Sequence, residues 1–100
     1  MEFKLTIRNS SKVFIKENGC TFVVYSIYEN DTYKASVEFN LTNQSCKILN
    51  YFKSIPKKDL ENCVYNKRIT ELKNLKSISN PETFEILNNL IKDLEKKIQK

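Results

Sequence analysis

The side chains that most often carry catalysis or bind metals are sparse in this sequence. Three cysteines, Cys20, Cys46 and Cys63, are far apart and form no CxxC pair, and histidine is absent. A zinc site needs three or four clustered thiolate, imidazole or carboxylate ligands, which this spacing does not offer. The odd number of cysteines also argues against a disulfide framework. We therefore expect free, partly buried thiols and no bound metal.

Motifs for catalysis are missing as well. Without histidine, no side chain is suited by its ordinary pKa to act as a base near neutrality. A single glycine cannot build a glycine-rich phosphate loop, and neither HExxH nor GxSxG occurs. The sequence therefore predicts a protein that is not an enzyme and needs no cofactor.

Positive charge is concentrated in one segment, residues 47–76. The whole chain has 17 Lys and Arg against 12 Asp and Glu, which gives a formal net charge of +5. Eight basic and three acidic residues fall in this segment, and their difference accounts for the entire +5. The basic residues are Lys47, Lys53, Lys57, Lys58, Lys67, Arg68, Lys73 and Lys76.

Three aromatic residues, Tyr51, Phe52 and Tyr65, are interleaved with these cations. Surfaces that bind single-stranded nucleic acids combine such groups, because cations follow the phosphates and rings stack on the bases. Nucleic-acid binding by residues 47–76 is therefore one hypothesis. A solvated, Lys-rich helical face is the simpler interpretation, since lysine outnumbers arginine and no RNA-binding fingerprint is present.

The first forty residues predict a four-stranded antiparallel meander. Polar and apolar residues alternate in 3–8 and 33–40, 12–16 is a short apolar run between two lysines, and 20–28 is apolar at nearly every position. Residues 9–11, 17–19 and 29–32 have the composition of tight turns, which connect antiparallel neighbours. In the second strand we expect Val13 and Ile15 to point inward and Phe14 outward.

The strand at 20–28 is apolar on both of its faces. One face of an antiparallel sheet usually meets solvent, so a second apolar face needs an explanation. Either helices cover both faces, or one face contacts a partner protein or a second copy of the chain. The residues predicted for that contact surface are Phe14, Val23, Tyr25 and Ile27.

Two helical stretches are predicted to follow the sheet. Thr42 is placed to cap a helix that ends near residue 54, with Leu41 and Cys46 as a hydrophobic staple. A second stretch covers about 58–76 and carries Arg68 at the centre of its apolar arc. A guanidinium there must pair with a carboxylate or extend along its own stem. A break in the helix near Asn66 would also resolve the conflict.

A third helix has the clearest signals. Ser79 and Asn80 are both potential caps, Pro81 suits the first turn, and Glu82 completes a capping box with Ser79. We expect its apolar arc to pack on the sheet, although the heptad-like spacing also allows a coiled-coil dimer. The arc consists of Phe84, Ile86, Leu87, Leu90, Ile91, Leu94 and Ile98.

These features predict a single α+β domain, with the sheet in residues 1–40 and the helical part in 41–100 packed on one face of the sheet. No apolar run is long enough to cross a membrane, and the N-terminus lacks the apolar core of a signal peptide, so we expect a cytoplasmic protein.

The leading functional hypothesis is a non-enzymatic protein-binding module. An inhibitor or a phage-type anti-defence protein would fit such a small chain, with homodimerisation as a further option. Its contact surface would be either the apolar sheet face or the basic segment. The alternative function is nucleic-acid binding by residues 47–76.

Overall fold

The computed structural model describes residues 4–51 and 55–98, and it has an α+β architecture. The elements are β1 (Leu5–Ser10), β2 (Phe14–Ile15), β3 (Thr21–Glu29), β4 (Thr32–Asn40), β5 (Ser45–Tyr51), α1 (Lys57–Lys76) and α2 (Pro81–Lys97). The predicted α+β class is confirmed, with five strands where four were expected and with two helices. The chain divides into two compact units, Met1–Val64 and Tyr65–Lys100, whose boundary falls within α1. The single-domain organisation stays a prediction.

β3 is the central strand of the five-stranded antiparallel sheet, whose order is β1-β3-β4-β5. Both β1 and β2 pair with β3, as the partners Ser10↔Tyr25 and Phe14↔Phe22 show. Because β4 occupies the other edge of β3, β1 and β2 follow one another along a single edge.

The predicted hairpin between the first two strands is therefore wrong. Asn9 and Ser10 belong to β1, and Ser11 continues along β3. The Ser11 backbone N donates to Val24 O at 2.8 Å, and the Ser11 Oγ accepts from Val24 N at 2.9 Å. The serine hydroxyl thus replaces a backbone carbonyl in the ladder. This contact lets a polar segment with the composition of a turn remain extended.

The other two predicted turns in this region are confirmed. Gly19 has φ +82° in the β2–β3 turn, and its N donates to Lys16 O at 2.9 Å. Asn30 has φ +56° in the β3–β4 turn. Both residue types adopt the left-handed conformation readily, which is why they mark turns in the sequence.

Residues 45–51 form β5 instead of the predicted helix. Asn40 Oδ1 accepts from the backbone N of Thr42 at 2.8 Å and of Asn43 at 3.1 Å, which folds the chain into a turn. The Thr42 Oγ1 accepts from Thr21 N at 3.0 Å and caps no helix. The residues that suggested a helix start therefore close a β4–β5 hairpin, because both structures use side-chain oxygens to bind backbone N–H groups.

Burial alternates from one residue to the next along β5. Half-buried Cys46 and Ile48 pair with Phe39 and Val37 of β4, whereas Lys47 between them is exposed. This alternation favours a strand over the predicted hydrophobic staple.

One face of the sheet forms the core of the first unit. Its central cross-strand pairs are Val23↔Phe39, Tyr25↔Val37 and Ile27↔Ala35. All six side chains are buried, and so are Ile55, Leu60 and Val64 of the same unit. Burial of this apolar surface is the largest favourable contribution to folding.

The burial predicted for the second strand is wrong, although Phe14 does lie on the face opposite the core. Val13 and Ile15 are 60% and 73% exposed, whereas Phe14 is half-buried. The Phe14 ring stacks on Phe22 with 5.8 Å between the ring centroids. The register of β2 on β3 brings these two rings to the same face, where they exclude water from each other.

Helix α1 is continuous through Asn66, so the predicted break is wrong. The side of α1 that carries the buried residues changes along the helix. Leu60 and Val64 are buried in the first unit, and Tyr65, Ile69 and Leu72 are buried in the second. At 3.6 residues per turn the second set lies roughly 120° around the helix from the first. A single helical wheel averages these two stripes, and for that reason it places Arg68 among apolar residues.

Asn80, one of the two predicted caps, is the N-cap of helix α2. Asn80 Oδ1 accepts from Thr83 N at 2.9 Å, and Pro81 occupies the first turn. The predicted capping box of Ser79 does not form, because Ser79 Oγ donates to Leu75 O at 2.6 Å.

The buried stripe of α2 is narrower than the predicted apolar arc. Leu87, Ile91 and Leu94 are buried, whereas Phe84 and Ile86 are 44% and 60% exposed. Packing of this helix on the sheet stays a prediction.

Truncation of Leu94 should separate the buried stripe from its exposed flank. Leu94→Ala is expected to lower the free energy of unfolding by roughly 2–5 kcal/mol, because it leaves a cavity at a fully buried position. Ile86→Ala, at an exposed position of the same helix, should change it by less than about 0.5 kcal/mol. Urea denaturation with equal m-values measures both. Equal losses in the two variants would contradict this assignment.

Candidate binding surfaces

The four residues predicted to form an apolar contact surface do not share one face. Val23, Tyr25 and Ile27 are 6%, 1% and 0% exposed and lie in the core. Phe14 lies on the opposite face, beside Phe22. Val23, Tyr25 and Ile27 are therefore buried within the chain, and helical cover on both faces of the sheet stays a prediction.

A cluster around Phe22 occupies the other face of the sheet. Lys16 Nζ lies 4.4 Å from the Phe22 ring centroid and 2.8 Å from Glu38 Oε1. Glu38 is buried, and a buried carboxylate is tolerated only with a charged or hydrogen-bonding partner. Lys16 supplies that partner and also fixes the β2–β3 hairpin to β4.

A second cluster on this face is built around two tyrosines. The Tyr28 and Tyr33 rings meet edge to face at 5.7 Å, and the Arg8 guanidinium lies 5.4 Å from the Tyr28 centroid. Arg8 also pairs with Asp31, and the Tyr33 hydroxyl is hydrogen-bonded to Ser36 Oγ.

Three cations near these clusters are already paired with acids. Besides the Lys16 and Arg8 pairs, Lys34 Nζ lies 3.8 Å from Glu29 Oε1. A phosphate would have to compete with these carboxylates. The cations of this face are therefore engaged with acidic groups of the sheet itself.

The described cations of the basic segment do not form one stripe. Lys47 is exposed on β5, and Lys57, Lys58 and Lys67 are exposed on α1. On a helix of 3.6 residues per turn, Lys58 and Lys67 lie roughly 100° and 80° to opposite sides of Lys57. Lys76 shares the direction of Lys58, and Lys73 lies roughly 60° from it. Lys53 lies outside the described residues.

Arg68 pairs with a carboxylate, which is one of the arrangements predicted for it. Its side chain is 18% exposed, and Nη1 lies 3.4 Å from Glu71 Oε1 one turn further along α1. The residue is thus part of a helical ion pair and is not aimed at solvent.

The aromatic partners expected for nucleic-acid stacking are not available together. Tyr65 is 7% exposed and belongs to the buried residues of the second unit. Phe52 and the side chain of Tyr51 lie outside the described part of the structure. A buried ring cannot stack on a base without rearrangement of the helix.

Large apolar side chains are exposed in three places among residues 4–51 and 55–98. The first is a pair at β2, Ile15 in the strand and Val13 just before it, and the second is Leu49 on β5. The third, which we call the helical tip, surrounds the turn between α1 and α2. The helical tip consists of Leu75, Ile78, Phe84 and Ile86, which are 49%, 82%, 44% and 60% exposed.

The turn inside the helical tip is held by local hydrogen bonds. Ile78 N donates to Leu75 O at 3.2 Å, and Lys76 Nζ lies 3.3 Å from Asn88 Oδ1. Lys76 Nζ also lies 4.9 Å from the Phe84 ring centroid. The end of α1 is thereby tied to the first turns of α2, while the Ile78 side chain still projects into solvent.

The helical tip is apolar on more than one side. Phe84 and Ile86 are two positions apart on α2, which places them roughly 200° apart around the helix axis. These two side chains therefore lie on opposite sides of α2 and do not form a groove. The sequence signal for it was an isoleucine between two serines, Ser77-Ile78-Ser79, outside the period of either helix.

The β2 pair is smaller. Val13 and Ile15 point to the same side because strand side chains alternate. Beside them, Ile15, Lys16, Glu17 and Asn18 line an open recess of about 540 Å³.

The cysteines do not form a reactive or metal-binding centre within the described residues. All three are free thiols, and no group of three potential metal ligands is found there. Burial raises the pKa of Cys63 from 9.0 to about 11, and its Sγ lies 3.9 Å from Leu5 O. Such a thiol is protonated at neutral pH and is a poor nucleophile.

None of the helices in the described part of the chain is both long enough and apolar enough to cross a membrane. Comparison with protein-family models, with curated proteins and with solved structures gave no match.

Differential alkylation should detect the protonated state of Cys63. In the folded protein at neutral pH, Cys63 is expected to react with iodoacetamide more slowly than Cys20, because the thiolate is the reacting species and the raised pKa depletes it. Its rate should climb as the pH approaches 11. Peptide mass spectrometry gives the rate at each cysteine, and labelling in denaturant, where burial is lost, is the control. Faster labelling of Cys63 than of Cys20 in the native state would contradict the assignment.

Proposed function

We propose that the chain is a non-enzymatic protein-binding module and that the helical tip is its principal contact surface. This keeps the class of function expected from the sequence and moves the contact from the sheet to the helices. The inhibitor and anti-defence roles remain predictions from the sequence.

One observation carries the proposal: four of the seven large apolar side chains that are exposed in the described residues lie within positions 75–86. Single exposed apolar residues are ordinary on protein surfaces and need no explanation. A concentration of them, rimmed by polar groups, is typical of a surface that a partner covers. Ile78 is the strongest indication, since it is 82% exposed in a turn fixed by hydrogen bonds.

The chemistry of the tip favours a protein over a nucleic acid. Its four principal side chains are apolar, and binding through them is favoured by the apolar area that is removed from water. A nucleic-acid surface would need converging cations and accessible rings. Lys57, Lys58 and Lys67 point in different directions, and Tyr65 is buried. We therefore expect the partner to present an apolar depression that accepts Ile78.

Replacing the exposed isoleucines should weaken capture of the partner. Ile78→Ser/Ile86→Ser is expected to weaken affinity by about tenfold or more, because apolar anchors carry most of the free energy of binding. Val13→Ser/Ile15→Ser is the matched control, since it makes the same kind of change at an exposed pair on β2. Each protein is immobilised and exposed to extract from candidate host cells, with and without nuclease treatment, and retained proteins are quantified by mass spectrometry.

The outcomes of this experiment are distinct. A protein retained by the wild type and the β2 variant, and lost from the tip variant, supports the proposal. Loss only from the β2 variant would contradict the assignment of the surface. Retention that depends on nucleic acid, and falls steeply with salt, would favour the nucleic-acid alternative. Thermal unfolding of both variants verifies that each is folded.

A further inference from the structure

The β2–β3 turn carries a dipeptide with chemistry of its own. The chain contains a single glycine, and it directly follows Asn18. Both residues are exposed. Gly19 has φ +82°, and a Cβ built on it would meet no atom within 4 Å. The approach to the Gly19 backbone is therefore open on the side where the Cβ of another residue would stand.

We propose that Asn18 is a modification site, at which the side-chain amide is lost through a cyclic imide and the backbone of the β2–β3 turn is rearranged. A base in solvent removes the Gly19 amide proton, and the nitrogen attacks Asn18 Cγ. The bond from Cγ to the side-chain nitrogen breaks, and ammonia leaves. Water then opens the ring. Attack at Cγ gives aspartate, and attack at the main-chain carbonyl gives isoaspartate. No oxidant or reductant is required.

The structure favours this reaction at Asn18 through the position of its side chain. Asn18 Oδ1 accepts from the backbone N of Cys20 at 2.9 Å, so the amide group is folded back toward the chain that follows. Accepting this hydrogen bond also withdraws electron density from Cγ, which makes that carbon a better electrophile. Glycine at the next position removes the steric barrier that any other residue would impose.

One contact opposes the reaction. Gly19 N donates to Lys16 O at 2.9 Å, so the turn must open before the nitrogen can attack. The turn lies at the end of β2, which has only two residues. Openings of such short, exposed terminal elements need the least free energy in a folded protein, so this hydrogen bond slows the reaction without preventing it.

The other eleven of the twelve asparagines are less suited to loss of the side-chain amide. None of them precedes glycine. Asn30 also occupies an exposed turn, but Asp31 follows it, and its side chain hinders the nitrogen. Asn40 is buried, and its Oδ1 accepts from two backbone N–H groups. Asn30 is therefore the internal reference for an exposed turn, and Asn40 is the reference for a buried one.

Isoaspartate at position 18 should loosen β2. It adds one backbone carbon to a turn that is closed by the Lys16 N to Cys20 O hydrogen bond of 3.1 Å. It also leaves a free carboxylate two residues from Lys16, where it competes with Glu38 for the Lys16 ammonium group. We expect the stacking of Phe14 on Phe22 to weaken as a consequence.

Ageing of the intact chain tests the proposal. The wild type is incubated at mildly alkaline pH and body temperature, digested, and analysed by mass spectrometry with isoaspartyl methyltransferase labelling. The peptide containing Asn18 is expected to convert several-fold faster than the peptides containing Asn30 and Asn40. Asn18→Ser should eliminate the product at this position. Conversion of Asn18 no faster than Asn30 would overturn the proposal.

A second measurement tests the effect on the turn. Freshly prepared Asn18→Asp carries the new charge without the additional backbone carbon. The aromatic NMR signals of Phe14 and Phe22 are expected to shift more in aged wild type than in this variant. Identical spectra for fresh and aged wild type, despite conversion at Asn18, would overturn the inferred loosening of β2.

Discussion

The first unit depends on the burial of the sheet face that the neighbouring strands β3 and β4 share. Val23, Tyr25 and Ile27 lie opposite Phe39, Val37 and Ala35 in register, and all six are buried. A shift of one residue would turn this set to the opposite face, so the register and the core specify each other. The β2–β3 and β3–β4 turns, with Gly19 and Asn30 at positive φ, permit this register.

This constraint determines which surfaces remain for function. Because the core face is closed, the protein cannot use it for a partner without unfolding. The opposite face holds its cations in contact with Glu38, Asp31 and Glu29, which leaves few groups for phosphates. The exposed apolar side chains of the helical tip are then the largest group with no evident role in folding, and the proposed function rests on them.

The sequence predicted the features that depend on neighbouring residues. The alternation in β4, the turn at Gly19 and the cap at Asn80 all follow from local chemistry. The errors have a common origin in long-range contacts. The hydroxyl of Ser11 bonds to β3, and Thr42 bonds to Thr21, so turn-like and cap-like residues serve the sheet. Which face of β3 is covered was also undetermined, because both faces are apolar.

A charge placed in the core face tests the central claim directly. Ile27 is fully buried, so Ile27→Asp would bury a carboxylate that has no counterpart in the native protein. The account predicts that circular dichroism shows no cooperative thermal transition for Ile27→Asp, while Val24→Asp, on the opposite face of the same strand, retains one. A folded Ile27→Asp protein with the wild-type midpoint would contradict the account, because it would mean that this face is a surface and not the core.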